Sequence, residues 1–408
     1  MAQVNYLAFA IPAFFLFVFI EYKIAQHRKL QTVFKYESSV ANFSVGIAER
    51  LLNLFIAASF YQVYYWVYNN YAIFDIPNRW YVWLILLLAT DFVWYWYHRL
   101  GHEINFLWAA HIVHHQSEEF NLTAAARITT IQAVFRNVFW CTLPLVGFHP
   151  NMIITILLAH GAYSFFTHTQ LIGKLGWLEH IFITPSLHGV HHASDEKYLD
   201  KNYGDVFVFW DKLFGTFQTE EEPPKYGLTH PIKNYSFLWQ HFHYYLEIIE
   251  AYKRADGFKA KWVAAFGSPA LMDQDIRPYL EEKYLQSKKQ SSSSIKFKAY
   301  LNIQLILVIG LLTLTTFFYK QISGLDSAAI LIFILLTLIN IGALLEQRRW
   351  IYYLECFRLI LISAYVFYNF NIFELVIFPV ILLIVLERTF SLRDIYNKYV
   401  LDYKKTGK

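Results

Sequence analysis

The stretch LILLLATDFVWYWYHRLGHEINFLWAAHIVHH, residues 84–115, runs from an apolar half into a half that carries five histidines. Its first half is apolar or aromatic apart from Thr90 and Asp91, as a helix bathed in lipid requires. In the second half His98 stands four residues before His102, and His111 stands three before His114 and four before His115. Positions three and four apart share a helix face, so each histidine group is expected to aim its rings at one point. The pattern returns as His188, His191 and His192 in HGVHH. A metal site held at the end of a membrane helix is the first expectation.

Composition supports the membrane. The 408 residues are 56% hydrophobic and 19% aromatic, and only 16% are charged, against about 25% in soluble domains. The net charge of +4 is dispersed between apolar runs, which speaks for membrane topology and against nucleic-acid binding. The two cysteines, Cys141 and Cys356, lie in apolar segments, so a disulfide framework is excluded and a cysteine metal site is disfavoured.

The fold expected is an all-α integral membrane protein, a multi-span helical bundle with a histidine-rich helical cap on the cytoplasmic side. Expected spans are Val4–Ile20, Ile47–Tyr68, Trp80–Tyr97, Ala133–Gly147, Met152–Phe166, Tyr300–Tyr319, Ala328–Leu345, Ile351–Tyr368 and Ile372–Leu386. The two around Phe148-His149-Pro150 are short enough to form a hairpin that does not cross, so seven to nine spans fit. The first span has no basic flank before it and no cleavage site after it, and reads as a retained helix. Lys23, Arg28, Lys29 and Lys35 after that span, with Arg348 and Arg349 later, orient the chain with its N-terminus outside. Alternation then puts every histidine cluster on the cytoplasmic side of an endoplasmic reticulum or bacterial inner membrane. Residues 1–283 form the histidine-rich region, 284–298 a Ser/Lys linker, and 299–408 a C-terminal helical bundle.

Sixteen histidines are present. A lone histidine in an apolar helix is ordinarily a hydrogen-bonded core residue, which is the expectation for His149, His160 and His180. His27, His230, His241 and His243 are expected at the surface. The eight clustered histidines differ, because burying so many polar rings beside a membrane is costly unless something holds them. Eight imidazoles exceed the needs of one ion, so two metals are inferred. Nitrogen ligands without thiolate favour a transition metal over Mg or Ca, while iron and zinc both remain open on these grounds. Asp91, seven residues before His98 inside an apolar span, is expected to hydrogen-bond a ligand imidazole.

The order HxxxH, HxxHH and a distant HxxHH resembles the fatty acid hydroxylase/sterol desaturase superfamily of membrane non-haem di-iron oxygenases. The resemblance is carried by HRLGHEINFLWAAHIVHH with the following SEEFNLTAAAR, by FTHTQLIGKLGWLEHIFITPSLHGVHH, and by LDKNYGDVFVFWDKLFGTF, covering Asp91 to Phe217. It implies that His98, His102, His111, His114, His115, His188, His191 and His192 bind two iron ions. His168 would be a ninth ligand or a neighbour, and Glu103 a glutamate required for activity. It further implies O2 and a lipid as substrates, with electrons from an external donor: tetrahydrobiopterin in the ether-lipid branch, cytochrome b5 or ferredoxin elsewhere. Arg127 would contact a pterin or lipid headgroup, unless it serves an ordinary salt bridge. Trp94, Trp96, Trp108, Trp140 and Trp177 would line the approach or anchor the interface. Gln116 and the pair Asp195-Glu196 depart from the pattern of the ether-lipid branch.

Other classes fit less well. A membrane zinc hydrolase wants a carboxylate base within HExxH, and His102-Glu103 is not followed by a histidine at that spacing. A metal transporter would hold its ligands near the midplane on broken helices.

Overall fold

The computed structural model describes residues 5–285, 295–372 and 374–401. Most of the expected linker, residues 286–294, and Val4 of the first expected span lie outside the described residues. The described chain is helical, with isolated bridges Phe182–Phe207 and Ala193–Tyr226 in place of any sheet. In order, the helices are α1 (Ala10–His27), α2 (Tyr36–Tyr71), α3 (Trp80–Glu103), α4 (Asn105–His111), α5 (Thr130–Trp140), α6 (Thr142–Val146), α7 (Pro150–Thr167) and α8 (Pro185–His191). Then follow α9 (Phe209–Phe214), α10 (Phe237–Arg254), α11 (Gly257–Phe266), α12 (Ile276–Tyr284), α13 (Ile295–Phe317), α14 (Gly324–Leu345), α15 (Ile351–Phe370), α16 (Glu374–Phe390) and α17 (Leu392–Tyr399).

Among the described residues, five helical stretches are long and apolar enough to cross a membrane: Tyr6–His27, Gln31–Tyr71, Phe297–Phe317, Gly324–Leu345 and Ile351–Phe370. The chain is a multi-pass membrane protein. The segment expected as Ala133–Gly147 is not one span. It breaks after Trp140 into α5 and the five-residue α6, and Gly147 turns the chain with a φ of 122° into α7, where Pro150 opens the first turn.

The chain divides into two compact units. One comprises Met1–Ile11, Asn234–Trp239 and Gln286–Lys408; the other, Pro12–Lys233 and Gln240–Leu285, holds every histidine cluster. In the first unit Glu355 of α15 accepts hydrogen bonds from Tyr300, Gln304 and Asn340 at 2.6, 3.2 and 2.7 Å, while Arg358 donates to it at 3.0 Å. Polar groups with no water available satisfy one another across helices.

In the second unit α2 explains how a site is built beyond the lipid. At 36 residues it is about 54 Å long, well over the roughly 30 Å hydrocarbon layer. Its buried residues concentrate in the first half, from Ser38 to Leu51. There the side chains are polar as well as apolar: Asn42 donates to Thr123 at 2.8 Å and to Ser117 at 3.2 Å. Gly46 lets the helix close on Ala126, since a Cβ there would meet the Ala126 Cβ at 2.7 Å. Val45 packs with Ala109, Ile112, Val113 and Tyr244, so α2 backs the first histidine boxes. Below them Tyr64, Leu86, Trp140 and Ile153 form a second apolar cluster among α2, α3, α5 and α7.

Candidate metal centre

Four segments carry the histidines. His98 and His102 project from the last turns of α3; His111 ends α4, and His114 and His115 lie in the 3-10 turn that follows it. His168 follows the C-terminus of α7. His188 and His191 lie on α8 with His192 as its cap. The start of α8 is written locally: Thr184 caps it by accepting from the Leu187 amide, and Pro185 occupies the first turn.

The structure brings together all nine predicted histidines, in two adjoining groups. His98, His102, His111, His115 and His191 form one; His114, His168, His188 and His192 form the other. Within each group the candidate ligand nitrogens lie within 4.8 Å of one another, and neither group contains a carboxylate or a thiol. The grouping corrects the expectation that each HxxHH box aims at a single point. In the first box His111 and His115 serve one group and His114 the other; in the second, His188 and His192 pair while His191 crosses over. Residues four apart share a helix face, whereas an adjacent residue projects to the side. Each doubled histidine therefore links both groups, and the rings of His115 and His192 stack across the boundary at 4.4 Å.

Hydrogen bonds on the outer nitrogens fix which inner nitrogens are bare. His98 Nδ1 donates to the Tyr203 carbonyl at 2.8 Å, His191 Nδ1 to Lys201 at 2.9 Å, and His168 Nδ1 to Ser164 at 2.8 Å. In a neutral imidazole that commits the proton, leaving Nε2 as a lone-pair donor. Two of these bare nitrogens face further imidazoles: His98 Nε2 lies 3.0 Å from His111 Nε2, and His168 Nε2 lies 3.0 Å from His188 Nε2. Five further buried ring nitrogens, on His102, His114, His188, His191 and His192, have no hydrogen-bond partner. Converging lone pairs and orphaned nitrogens are what a bound cation satisfies. Burial holds His111, His114, His115, His188, His191 and His192 far below the usual histidine range. It pushes His168 down to about 4. The rings are therefore neutral at physiological pH, the state that ligates metal.

The profile of the fatty acid hydroxylase family matches residues 83–216. The chain is 33% identical to human alkylglycerol monooxygenase over 355 residues, covering 84% of this chain and 78% of the human protein. The Xenopus tropicalis alkylglycerol monooxygenase is 30% identical over 364 residues, 88% of this chain and 81% of the relative. The chain belongs to the fatty acid hydroxylase family. Human cholesterol 25-hydroxylase, 26% identical over 153 residues, shares 35% of this chain and 53% of its own length. No solved structure matches. This fatty acid hydroxylase family member is an oxygen-dependent oxidoreductase that modifies lipids.

The remaining predicted residues of this hydroxylase take other places. Asp91, 0% exposed, touches none of the nine histidines. Its carboxylate instead accepts from His160 Nε2 at 3.0 Å, from the Val206 and Phe207 amides at 2.9 and 3.1 Å, and from Trp210 at 3.0 Å. It thereby anchors the loop whose carbonyls at 201 and 203 receive His191 and His98. Asp211 holds the same loop from the other side, through the Tyr203 and Gly204 amides at 2.7 and 2.8 Å. Glu103 is 46% exposed and pairs with Arg99 at 2.8 Å, so it does not face the histidines through that contact.

Arg127 is 2% exposed, which removes it from any headgroup. It donates to the Val113 carbonyl at 2.7 Å, to Asn42 at 2.8 Å and to Gln116, gripping the first HxxHH turn from behind. Gln116, the departure from the pattern, is thus a partner of Arg127 and of His243, whose Nε2 is 3.1 Å away. His243 is itself buried, with Nδ1 at 2.8 Å from Glu247, and not at the surface as expected. His180 is exposed where a core position was expected. Trp94 and Trp108 pack on His98 and His102, with ring centroids 5.7 and 4.8 Å apart, whereas Trp177 stands exposed.

Sequence reasoning missed Gln132, whose amide lies 2.9 Å from His111 Nδ1. No motif marks it, because it reaches the site from α5. The Gln132 Oε1 is buried without a partner; with the two ends of the amide exchanged, Oε1 would accept the His111 Nδ1 proton and leave Nε2 bare. Losing such a partner costs about 10–100-fold in metal affinity. Gln132→Leu is therefore expected to shed metal to a weak chelator at a concentration the parent protein withstands. Equal retention in both proteins would remove Gln132 from this role.

Proposed function

We propose that this chain is a membrane di-iron monooxygenase that hydroxylates a lipid C–H bond, with an O-alkyl glycerolipid as the leading substrate. The observation that carries the reading is the pair of adjoining, carboxylate-free histidine groups, five and four rings strong. Nitrogen-only sites suit late first-row metals, and two groups suit two ions. The donors fit: His98, His102, His111, His115 and His191 would hold one iron, and His114, His168, His188 and His192 the other. Bound there, the irons would supply O2 activation and the oxidation of an unactivated C–H bond, which side chains alone do not perform.

The protein's own part is to hold and shield. Carbonyls at 164, 201 and 203 orient three rings, Gln132 a fourth, and the buried setting keeps all of them neutral. Hydroxylating the carbon beside an ether oxygen, R–CH2–O–R′ + O2 + 2e⁻ + 2H⁺ → R–CH(OH)–O–R′ + H2O, gives a hemiacetal that separates into aldehyde R–CHO and alcohol R′–OH. The names of the human and frog relatives support that substrate. Cholesterol 25-hydroxylase and the ornithine lipid hydroxylase of Rhizobium tropici, 31% identical over 138 residues, support a second reading, sterol or fatty-acyl hydroxylation at the same centre. The two electrons come from an external donor, with tetrahydrobiopterin the first to try, and the site faces the cytoplasm by the charge rule.

The test is metal content per chain after anaerobic purification in detergent without chelators, followed by lipid turnover. About two irons are expected on the two-group argument. One zinc with no iron, in cells supplied with iron, would replace this reading with a zinc hydrolase.

A further inference from the structure

A monooxygenase draws two of the four electrons that reduce O2 from a separate donor, so an entry point for that donor must exist. The second unit holds an open cavity of about 450 Å³, with no histidine among the described residues of its lining. This size suits a small molecule and not a protein domain. Its lining includes Glu118, Glu119, Gln170, Ser194, Lys225 and Tyr226. An acyl chain placed there would lie against the carboxylates of Glu118 and Glu119, the second already bonded to Ser38, and would strip water from them without repaying it. A polar, hydrogen-bonding molecule would not.

The floor connects the cavity to the histidines. The Tyr226 ring stacks on Phe120, with centroids 4.7 Å apart and planes 14° from parallel. Phe120 in turn packs on His192, His168 and His188, at 5.1, 5.6 and 6.1 Å between centroids. Two rings thus span the distance from cavity to candidate ligands. Gly189, inside HGVHH, makes room for them: a Cβ there would meet the Tyr226 hydroxyl at 3.2 Å and Phe120 at 3.7 Å. The far wall is pinned as well. Ser194 N donates to the Lys225 carbonyl and Lys225 N to Asp195, both at 2.7 Å, so Asp195, a departure from the ether-lipid pattern, shapes this wall.

We propose that this cavity binds the electron donor, a small planar aromatic heterocycle. It would lie on Tyr226 with its N–H groups on Glu118 and Glu119, and its electrons would pass across the Tyr226–Phe120 stack to the iron that the four-histidine group would hold. The proposal rests on the di-iron reading. The donor DH2 is oxidised to D, releasing two electrons and two protons, in the balance R–H + O2 + DH2 → R–OH + D + H2O. Carboxylates at the rim accept N–H hydrogen bonds and take up the released protons. Stacking on a tyrosine needs only a π-face and adds binding.

The experiment uses the full chain in detergent with tetrahydrobiopterin as the probe. Anaerobic calorimetry measures its binding with and without iron, and steady-state kinetics give KM for probe and lipid separately. Glu118→Gln/Glu119→Gln and Tyr226→Leu are expected to weaken probe binding and raise its KM at least about tenfold, the scale of a lost hydrogen bond to a charged group. Lipid KM and iron content should stay at parent values, which also shows that the variants fold. Gly189→Ala, which presses on the stack, should slow donor-driven reduction of the irons more than it weakens probe binding. Unchanged binding and KM in the first two variants would overturn the proposal. So would turnover supported only by a reduced protein donor and indifferent to them. Failure of the di-iron reading shows separately, as absence of iron in a parent protein that still binds the probe.

Discussion

His111→Ala and His191→Ala are each expected to abolish turnover, whereas His149→Ala leaves it close to the parent value. Both targeted rings belong to the five-histidine group, and each has an outer hydrogen bond, His111 with Gln132 and His191 donating to the Lys201 carbonyl. Removing one leaves a hole in a site whose other donors are already positioned. The metal ion nearest it should be lost or labile, so iron content should fall with activity. His149 only caps α7, accepting from the Asn151 amide at 3.2 Å, with its ring against Tyr65 and Tyr68. Its removal costs about 1 kcal/mol of helix capping and no ligand. The measurement is lipid turnover together with iron per chain. Parent-level activity in His111→Ala or His191→Ala would sink the ligand assignment, and loss of activity in His149→Ala at full iron content would show that His149 has a role beyond the cap.

The second large effect is expected at Asp91. Truncation to alanine leaves the Val206 and Phe207 amides, the Trp210 indole and His160 without their shared acceptor. His160 also lies 2.6 Å from Asp205, so one substitution unbalances a buried pair of carboxylates around one ring. Removing one partner of a buried ionic contact costs about 3–5 kcal/mol. The loop so released carries the carbonyls that orient His98 and His191, and metal in the five-histidine group should loosen with it. Asp91→Ala is therefore expected to melt at clearly lower temperature and to retain less iron. Asp91→Asn, which keeps the shape and one acceptor oxygen, should fall between the two. An Asp91→Ala protein with the parent melting temperature and iron content would leave the carboxylate no anchoring role.

Much of the candidate site was legible because metal chemistry writes itself in side-chain identity. HxxxH and HxxHH are spacings of one helical turn, and the nine histidines they and FTHT nominated are the nine that converge. The apolar runs likewise announced a helical membrane protein. What misled were residues whose chemistry is defined by partners far away in the chain. Asp91 stands out in the sequence as an ionisable group in an apolar span, yet its partners lie 69 to 119 residues on. Arg127 carries a charge suited to a headgroup, but its partners at 42 and 113 enclose it. His243, polar by composition, is buried because Gln116 and Glu247 satisfy both of its nitrogens.

The sequence by itself determined that the chain is a helical membrane protein whose histidine spacings suit metal ligation, because hydropathy and ligand spacing act over one or two turns. Only the tertiary structure decided how the histidines divide five and four, with each doubled pair splitting between the groups. Only it showed which backbone carbonyls set the tautomers, and that Gln132 joins the site while Arg127 stands behind it. Those outcomes depend on how α2, α5, α7 and the loop after α8 pack around the boxes, and backbone carbonyls leave no mark in the amino-acid code.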